Sequence, residues 1–144
     1  MALEWIYSLE NVDWEELSQL YLIAPLGYKD PSNLKVVFSN SMFKCFVYDS
    51  KKLIAAGRAL ADGKDCSYIC DVAIHPDYQG IGIGREVVIK LLVLSKGHKK
   101  IILYAAVGKE PFYRKLGFKR MTTAMAIFEN QVQALEDGLL IDEL

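Results

Sequence analysis

Glycine is dense in the stretch HPDYQGIGIG, which covers residues 75–84. Three glycines, Gly80, Gly82 and Gly84, alternate with isoleucines between an apolar run and a helical one. Glycine at this density costs chain entropy, so the pattern indicates a place where bare backbone is needed. A loop of small residues before a helix presents free N–H groups, to which the helix dipole adds partial positive charge. The pattern therefore predicts a site for phosphate or pyrophosphate, which side chains at these three positions would block.

Two well-known phosphate loops do not fit this spacing. The dinucleotide fingerprint is G-x-G-x-x-G, whereas the spacing here is G-x-G-x-G. The P-loop needs G-x-x-x-x-G-K-[ST], and Gly84 is followed by Arg85 and Glu86. The strand before the loop is also preceded by antiparallel partners, whereas the strand of a dinucleotide fingerprint opens its fold. Both alternatives are therefore disfavoured.

The segments around the loop are predicted to form a mixed sheet covered by helices. Hydrophobic spacing predicts an opening strand LEWIYS, a helix NVDWEELSQLYLIA capped by Asn11 or Asp13, a loop PLGYKDPSN, and a second short helix in the ambiguous LKVVFSNS. Three antiparallel strands follow, MFKCFVYD, LIAAGRALAD and CSYICDVAIH. A helix GIGREVVIKLLVLSKG, a strand KKIILYAAV, a short helix KEPFYRKLG and one or two strands in FKRMTTAMAIF complete the order. Antiparallel strands followed by a parallel crossover predict an α/β (α+β) fold.

Two motifs in this order resemble those of a known family. The segment QGIGIG at residues 79–84 reads as Q/R-x-x-G-x-G/A and resembles the acetyl-coenzyme A (acetyl-CoA) loop of the GNAT superfamily of N-acyltransferases. The segment EPFYRKLGF at residues 110–118 resembles the family's later helix, in which a tyrosine faces the coenzyme sulfur. The resemblance covers nearly the whole chain and implies one GNAT domain over residues 1–144. In that fold a central, mostly antiparallel sheet with a splayed parallel pair is flanked by helices.

The resemblance implies an acetyl-CoA-dependent N-acetyltransferase, in which a primary amine attacks the thioester directly in a ternary complex. Loop N–H groups would hold the pyrophosphate, and the pantetheine would run beside the strand that precedes the loop. A backbone N–H near the middle of that strand would polarise the thioester oxygen. The residues that the resemblance implies for the coenzyme are Val72, Ala73, Ile74, Gln79, Gly80, Ile81, Gly82, Ile83, Gly84, Arg85, Phe112 and Tyr113.

Proton transfer needs a base and an acid. Asp71 interrupts the apolar strand YICDVAI, where an unpaired charge is costly, and it is the leading candidate for the catalytic base. A structural aspartate, bonded to backbone or to a lysine, is the alternative. Strict alternation places Asp71 on the face of Ile69 and Ala73, unless a bulge intervenes. Tyr113 is expected to be the catalytic acid that protonates the leaving thiolate, and Glu110 is a second candidate for the base.

The acceptor is left open by the sequence. In GNAT proteins the first helices and their connection shape the acceptor pocket, here about residues 21–43. Tyr21, Tyr28, Phe38 and Phe43 in that segment suit a small amine, although core packing explains them equally well. A small-molecule amine and a protein lysine both remain as acceptors. The alternative function is a non-catalytic CoA-binding sensor or regulatory module, and family habit favours a homodimer.

Composition narrows the remaining classes of function. The net charge is −1, and the acidic tail 129–144 holds five acids and no Lys or Arg. A body of about +4 is too weakly basic to favour nucleic acid as a partner. No apolar run approaches the roughly 20 residues of a membrane span, so a cytoplasmic protein without a membrane partner is expected.

Cys45, Cys66 and Cys70 lack a complementary Cys/His pair, which favours reduced thiols and no metal site. Val132, Leu135, Leu139 and Leu140 have the spacing of a helix in the tail.

Overall fold

The fold is described by a computed structural model that covers residues 2–143. The chain divides into two compact units, the first ending at Leu103 and the second beginning at Tyr104. The first unit holds one sheet in the order β1-β2-β3-β4-β5, in which only the β4–β5 pair is parallel. Its strands are β1 (Leu3–Ile6), β2 (Phe43–Asp49), β3 (Lys52–Ala61), β4 (Cys66–Ile74) and β5 (Lys100–Ile102), and its helices are α1 (Trp14–Ile23), α2 (Pro31–Ser39) and α3 (Ile83–Leu94). The predicted α/β mixed sheet is confirmed.

Aspartate caps fix where the first two helices begin. A side-chain oxygen of Asp13 accepts hydrogen bonds from the main-chain N–H groups of the first turn of α1, the shorter at 3.0 Å. Asp30 does the same for α2, and Pro31 stands at the first helical position, where its missing N–H costs nothing. The second helix therefore begins at Pro31, three residues before the predicted LKVVFSNS. The loop predicted over residues 25–33 was too long at its C-terminal end.

The sheet is covered by α1 and α2 on one face and by α3 on the other. Phe38 of α2 is fully buried, and its ring centroid lies 5.3 Å from that of Phe46 on β2. On the α3 face, a Cβ added to Gly57 would meet Leu91 Cδ1 at 3.0 Å, so glycine lets the helix approach the sheet closely. Val87, Val88 and Leu91 of α3 are buried, whereas Leu94 at the last turn is 36% exposed.

A β-bulge changes the facing of residues in the middle of β4. Ala56 pairs with Ala73 and Arg58 pairs with Cys70, so Asp71 and Val72 together lie opposite Gly57 alone. Asp71 has φ +54°, a left-handed conformation that aspartate tolerates better than most residues. The extra residue shifts the alternation beyond it.

The prediction from strict alternation for Asp71 is therefore wrong. Ala59, the partner of Ile69, lies on the α3 face, since β3 alternates and Gly57 meets Leu91 of that helix. The Asp71 side chain instead points to the α1–α2 face, where it contacts Arg58. It shares that face with Cys70 and Ala73, and Ile69 lies on the opposite face because the extra residue separates Ile69 from Ala73.

A buried tyrosine anchors this bulge. The Tyr21 hydroxyl donates a 2.6 Å hydrogen bond to the main-chain carbonyl of Asp71. Tyr21 is fully buried in α1, and burial raises the pKa of its phenol well above the usual value. The hydroxyl therefore remains a hydrogen-bond donor throughout the physiological pH range.

The parallel pair separates part of the way along β4. Its ladder begins at Cys66↔Lys100 and ends at Tyr68↔Ile102, while β4 continues to Ile74. In the described residues, the part of β4 from Ile69 onwards is paired with β3 alone. The strand predicted over KKIILYAAV is thus shorter than expected, and the second half of β4 keeps a free main-chain edge in the sheet.

The second unit contains two short helices, α4 (Glu110–Lys115) and α5 (Gln131–Glu136). A helix is present in the acidic tail as predicted, with Asn130 as its N-terminal cap, but it ends at Glu136, so Leu139 and Leu140 of the predicted spacing lie beyond it. The strands predicted in FKRMTTAMAIF are wrong, since the structure assigns no strand over residues 118–128. Alternating residue types do not make a strand without a pairing partner. Met125 and Ile127 in this segment are correspondingly exposed.

Replacement of Tyr21 by phenylalanine tests whether the bulge depends on its anchor. Tyr21→Phe leaves the Asp71 carbonyl without its partner, and we expect the free energy of unfolding to fall by about 1–3 kcal/mol. Tyr28→Phe is the matched control, because Tyr28 is 69% exposed and should change stability by less than about 0.5 kcal/mol. Urea titration of both variants measures the difference. Equal and small losses would show that the bulge does not need the hydroxyl.

Candidate functional site

The predicted phosphate loop lies between β4 and α3 and is tethered to the rest of the first unit. A 3₁₀ turn over Pro76–Tyr78 follows β4, and the Tyr78 hydroxyl donates a 2.6 Å hydrogen bond to Asp49 at the end of β2. The Gln79 side-chain amide donates to the main-chain carbonyl of Ile74 at 3.0 Å. Gln79 was predicted to bind the coenzyme, and the structure uses its side chain to hold the loop against the end of β4.

The glycines of the loop have the backbone conformation that their residue type permits. Gly80 and Gly82 have φ of +80° and +93°, which L side chains rarely adopt, and a Cβ at either would meet nothing within 4 Å. Gly82 is the N-cap of α3, and it has no side chain that could accept a hydrogen bond from the N–H groups of the first turn. Gly84 lies in that first turn and does not have positive φ. This end of α3 combines free N–H groups, helix-dipole charge and open space.

The other coenzyme residues predicted in the first unit lie on either side of this loop. Val72, Ala73 and Ile74 form the end of β4, where the ladder with β5 has already stopped. Ile81 is 55% exposed on the loop, and the Arg85 side chain is exposed on the first turn of α3. Strand edge, loop and helix start are therefore continuous in space, as they are in sequence. They fit a long ligand with an anionic portion.

Asp71 is held by two cations of the first unit. Its Oδ2 accepts a 2.9 Å hydrogen bond from Arg58 Nε, and its Oδ1 lies 3.5 Å from Lys29 Nζ. Arg58 also donates from Nη1 to the Ser41 hydroxyl at 3.2 Å. The side chain of Asp71 retains 20% exposure, so the carboxylate is reachable by solvent. The structural alternative for Asp71 is present in the structure, and the carboxylate is at the same time partly exposed.

Sequence reasoning missed Arg58 and Lys29. Arg58 carried a usable signal, because it interrupts the apolar strand LIAAGRALAD just as Asp71 interrupts the next strand. Opposite charges in two adjacent antiparallel strands are candidates for an ion pair. Lys29 lies in a loop, and no spacing in the sequence relates it to β4.

The second unit holds the three remaining candidate site residues, Glu110, Phe112 and Tyr113. Tyr113 lies on α4, and its ring makes edge-to-face contacts with Phe112 and Phe118 at centroid distances of 5.0 and 5.8 Å. Burial raises the pKa of the Tyr113 phenol, so the hydroxyl is protonated at neutral pH. Hydrogen bonds from its own main-chain N–H and from that of Gly108 lower the pKa of Glu110. The Glu110 carboxylate is therefore engaged by the backbone that leads into α4 and is a poor candidate for the base. Asp71 and Tyr113 belong to different units.

Two of the three thiols are not activated. Burial raises the pKa of the Cys45 thiol to about 12, and burial also raises that of Cys70. Neither is a thiolate at neutral pH, so neither suits a covalent acyl-enzyme. Within residues 2–143, no group of three or more His, Cys, Asp or Glu side chains is arranged to hold a metal ion. No helix in that range is long and apolar enough to cross a membrane.

Comparisons with known proteins agree with this geometry. An uncharacterized N-acetyltransferase ycf52 from Porphyra purpurea is 39% identical over 120 residues, which cover 79% of this chain and 69% of the relative. The fold matches a GNAT family acetyltransferase from Streptococcus pneumoniae with a TM-score of 0.76 and 23% identity, over 90% of this chain and 99% of that one. It also matches a predicted acetyltransferase from Clostridium acetobutylicum, solved with acetyl-CoA, with a TM-score of 0.67 and 19% identity, over 94% and 98% of the two chains. The model of the acetyltransferase (GNAT) family matches residues 5–118, and the chain belongs to that family.

Proposed function

We propose that the protein transfers the acetyl group of acetyl-CoA to a primary amine by direct attack in a ternary complex. The observation that carries the proposal is the continuous surface formed by the free edge of β4, the glycine loop and the uncapped start of α3. Membership of the GNAT family supports the reaction type, and the structural relative solved with acetyl-CoA supports the cosubstrate. No specific observation favours the alternative of a non-catalytic CoA sensor.

The residues of the loop fit the anionic part of the coenzyme. N–H groups from Ile81 to Arg85 would donate to the pyrophosphate, helped by the positive end of α3. The Arg85 guanidinium adds a charge that can pair with phosphate. Main-chain groups of Val72, Ala73 and Ile74 would hydrogen-bond the pantetheine, because β5 leaves that edge unpaired.

Asp71 is proposed to take the proton of the acceptor. When bound, acetyl-CoA supplies an activated acetyl thioester, which only an uncharged amine attacks. An alkylammonium has a pKa near 10, so a carboxylate that accepts its proton raises the reactive fraction at neutral pH. Oδ1 of Asp71 is the oxygen for this role, since Oδ2 is engaged by Arg58 at 2.9 Å. An N–H of the bulge near Val72 is proposed to polarise the thioester oxygen.

Tyr113 is proposed to give a proton to the departing thiolate. Its phenol is protonated at neutral pH because burial raises its pKa, and a phenol and an alkyl thiol have similar basicity. Phe112, which packs edge-to-face on the Tyr113 ring at 5.0 Å, restrains that ring and is proposed to contact the coenzyme. The nitrogen loses two protons in becoming the amide: Asp71 would take the first, and the second would restore the proton that Tyr113 gives to the departing sulfur.

A matched pair of glycines tests the loop. Gly82 and Gly97 flank the two ends of α3, have φ of +93° and +98°, and both face open space. Substitution by alanine should cost both variants a similar backbone strain of about 1–2 kcal/mol. We expect Gly82→Ala to raise the dissociation constant for acetyl-CoA about tenfold or more, equivalent to about 1.4 kcal/mol, and Gly97→Ala to leave it unchanged. Calorimetric titration measures both, and equal affinities in the two variants would remove the loop from the coenzyme site.

The role of Tyr113 is tested by removing its hydroxyl. We expect Tyr113→Phe to lower kcat by about 10²- to 10⁴-fold, the usual contribution of a general acid, with little change in the dissociation constant for acetyl-CoA. Tyr7→Phe is the control, because Tyr7 is 42% exposed and follows β1, which two strands separate from β4 in the sheet. Stopped-time assays of CoA release give kcat. Turnover by Tyr113→Phe at the rate of the control would assign the acid role to another group.

A further inference from the structure

The two cations that hold Asp71 do so unequally. Arg58 Nε donates to Oδ2 at 2.9 Å, its Nη1 reaches Ser41 Oγ at 3.2 Å, and its guanidinium lies 6.0 Å from the centroid of the Phe38 ring. Lys29 Nζ lies 3.5 Å from Oδ1, well beyond the roughly 2.7–2.9 Å of a charge-assisted hydrogen bond. Arg58 is therefore a fixed partner of the carboxylate, and Lys29 is a loosely held one.

The place that the Lys29 ammonium occupies has the chemistry of an alkylammonium site. Nζ lies 5.5 Å from the centroid of the Tyr21 ring, within the range of a cation–π interaction, and beside the Asp71 carboxylate. The Tyr21 hydroxyl donates to the carbonyl of Asp71, so ring and carboxylate are fixed relative to each other. A carboxylate oxygen and an aromatic face together satisfy the charge and part of the apolar stem of a primary alkylammonium.

Lys29 is built so that its side chain can leave while its main chain stays. The buried Ser18 hydroxyl donates a 2.6 Å hydrogen bond to the Lys29 carbonyl, which fixes the backbone to α1. The Lys29 side chain is 29% exposed, against 13% for Arg58, and it ends in a compact, strongly hydrated ammonium on a flexible stem. Rotation of that stem into solvent would free Oδ1 of Asp71 and the position over the buried Tyr21 ring that Nζ now occupies.

We propose that Asp71 Oδ1 and the Tyr21 ring form the binding site for the acceptor's primary aliphatic ammonium, and that Lys29 fills it until an acceptor arrives. The acceptor class is then an alkylamine whose cation replaces that of Lys29. In this arrangement the bound ammonium transfers one proton to Oδ1, which leaves a neutral amine and a protonated Asp71. The assignment to acetyl transfer rests on the proposed function, whereas the binding of the ammonium does not.

A binding experiment without coenzyme tests this site. The probe is n-butylammonium chloride, which reproduces the end of a lysine side chain, and the variant is Lys29→Met, which keeps an unbranched stem and removes the charge. Lys35→Met is the matched control, since Lys35 is an exposed lysine on α2. We expect n-butylammonium to bind Lys29→Met at least about tenfold more tightly than the unaltered protein or Lys35→Met. The reason is that the substitution removes the lysine ammonium that competes for the same site. Calorimetry at constant ionic strength measures the three affinities.

Two further measurements assign the binding to the proposed contacts. Tetramethylammonium chloride, which has no N–H donor for Oδ1, should gain less affinity in Lys29→Met than n-butylammonium does, and addition of Asp71→Asn should abolish the gain for n-butylammonium. Lys29→Gln serves if Lys29→Met does not fold. Equal affinity for n-butylammonium in the unaltered protein, both Lys29 variants and Lys35→Met would overturn the proposal. Because no coenzyme is present, a positive result stands even if acetyl transfer is absent, and a negative result leaves the proposed transferase untouched.

Discussion

The bulge in β4 is the constraint on which the proposed acceptor side of the site depends. One extra residue turns Asp71 to the α1–α2 face, and the Tyr21 hydroxyl holds the Asp71 carbonyl at 2.6 Å. Without the bulge, alternation would direct the carboxylate towards α3, where Gly57 already allows the closest packing of helix and sheet. With it, Asp71 meets Arg58 and Lys29. The same distortion lies on the part of β4 whose other edge is not paired with β5, which is the proposed place of the pantetheine.

The proposed coenzyme side of the site depends on a different feature, the early end of the parallel ladder. β5 pairs with β4 only as far as Tyr68↔Ile102, although β4 continues to Ile74. After Ile74 the tethered 3₁₀ turn connects β4 to the glycine loop. Two hydrogen bonds, from Tyr78 to Asp49 and from Gln79 to Ile74, restrict the motion of the loop. The loop must keep positive φ at two glycines. Pre-ordering of this kind lowers the entropy lost when a flexible ligand binds.

Sequence reasoning succeeded where chemistry is local along the chain. The glycine spacing and the two family motifs indicated the loop, and the aspartate in β4 was identified because a charge there needs a partner. It failed where the answer depends on a neighbour distant in sequence. Alternation left open whether β4 is bulged, and the Tyr21 hydroxyl that bonds the bulge comes from α1. The cation Lys29 comes from a loop, and the strands predicted over residues 118–128 lack a pairing partner. The start of α2 was readable, since Asp30 before Pro31 is a cap signal that the hydrophobic spacing alone did not show. The single domain, the cytoplasmic location and the homodimer stay predictions.

Release of free CoA from acetyl-CoA, measured with separate pools of lysine peptides, polyamines, arylalkylamines and amino sugars, tests the central claim most directly. The account predicts release that depends on a pool of aliphatic primary amines, the lysine peptides or the polyamines. Such a result would establish the transferase and define its acceptor class together. Tight binding of acetyl-CoA with no release in any pool would contradict the claim and favour a protein that senses the coenzyme without turning it over.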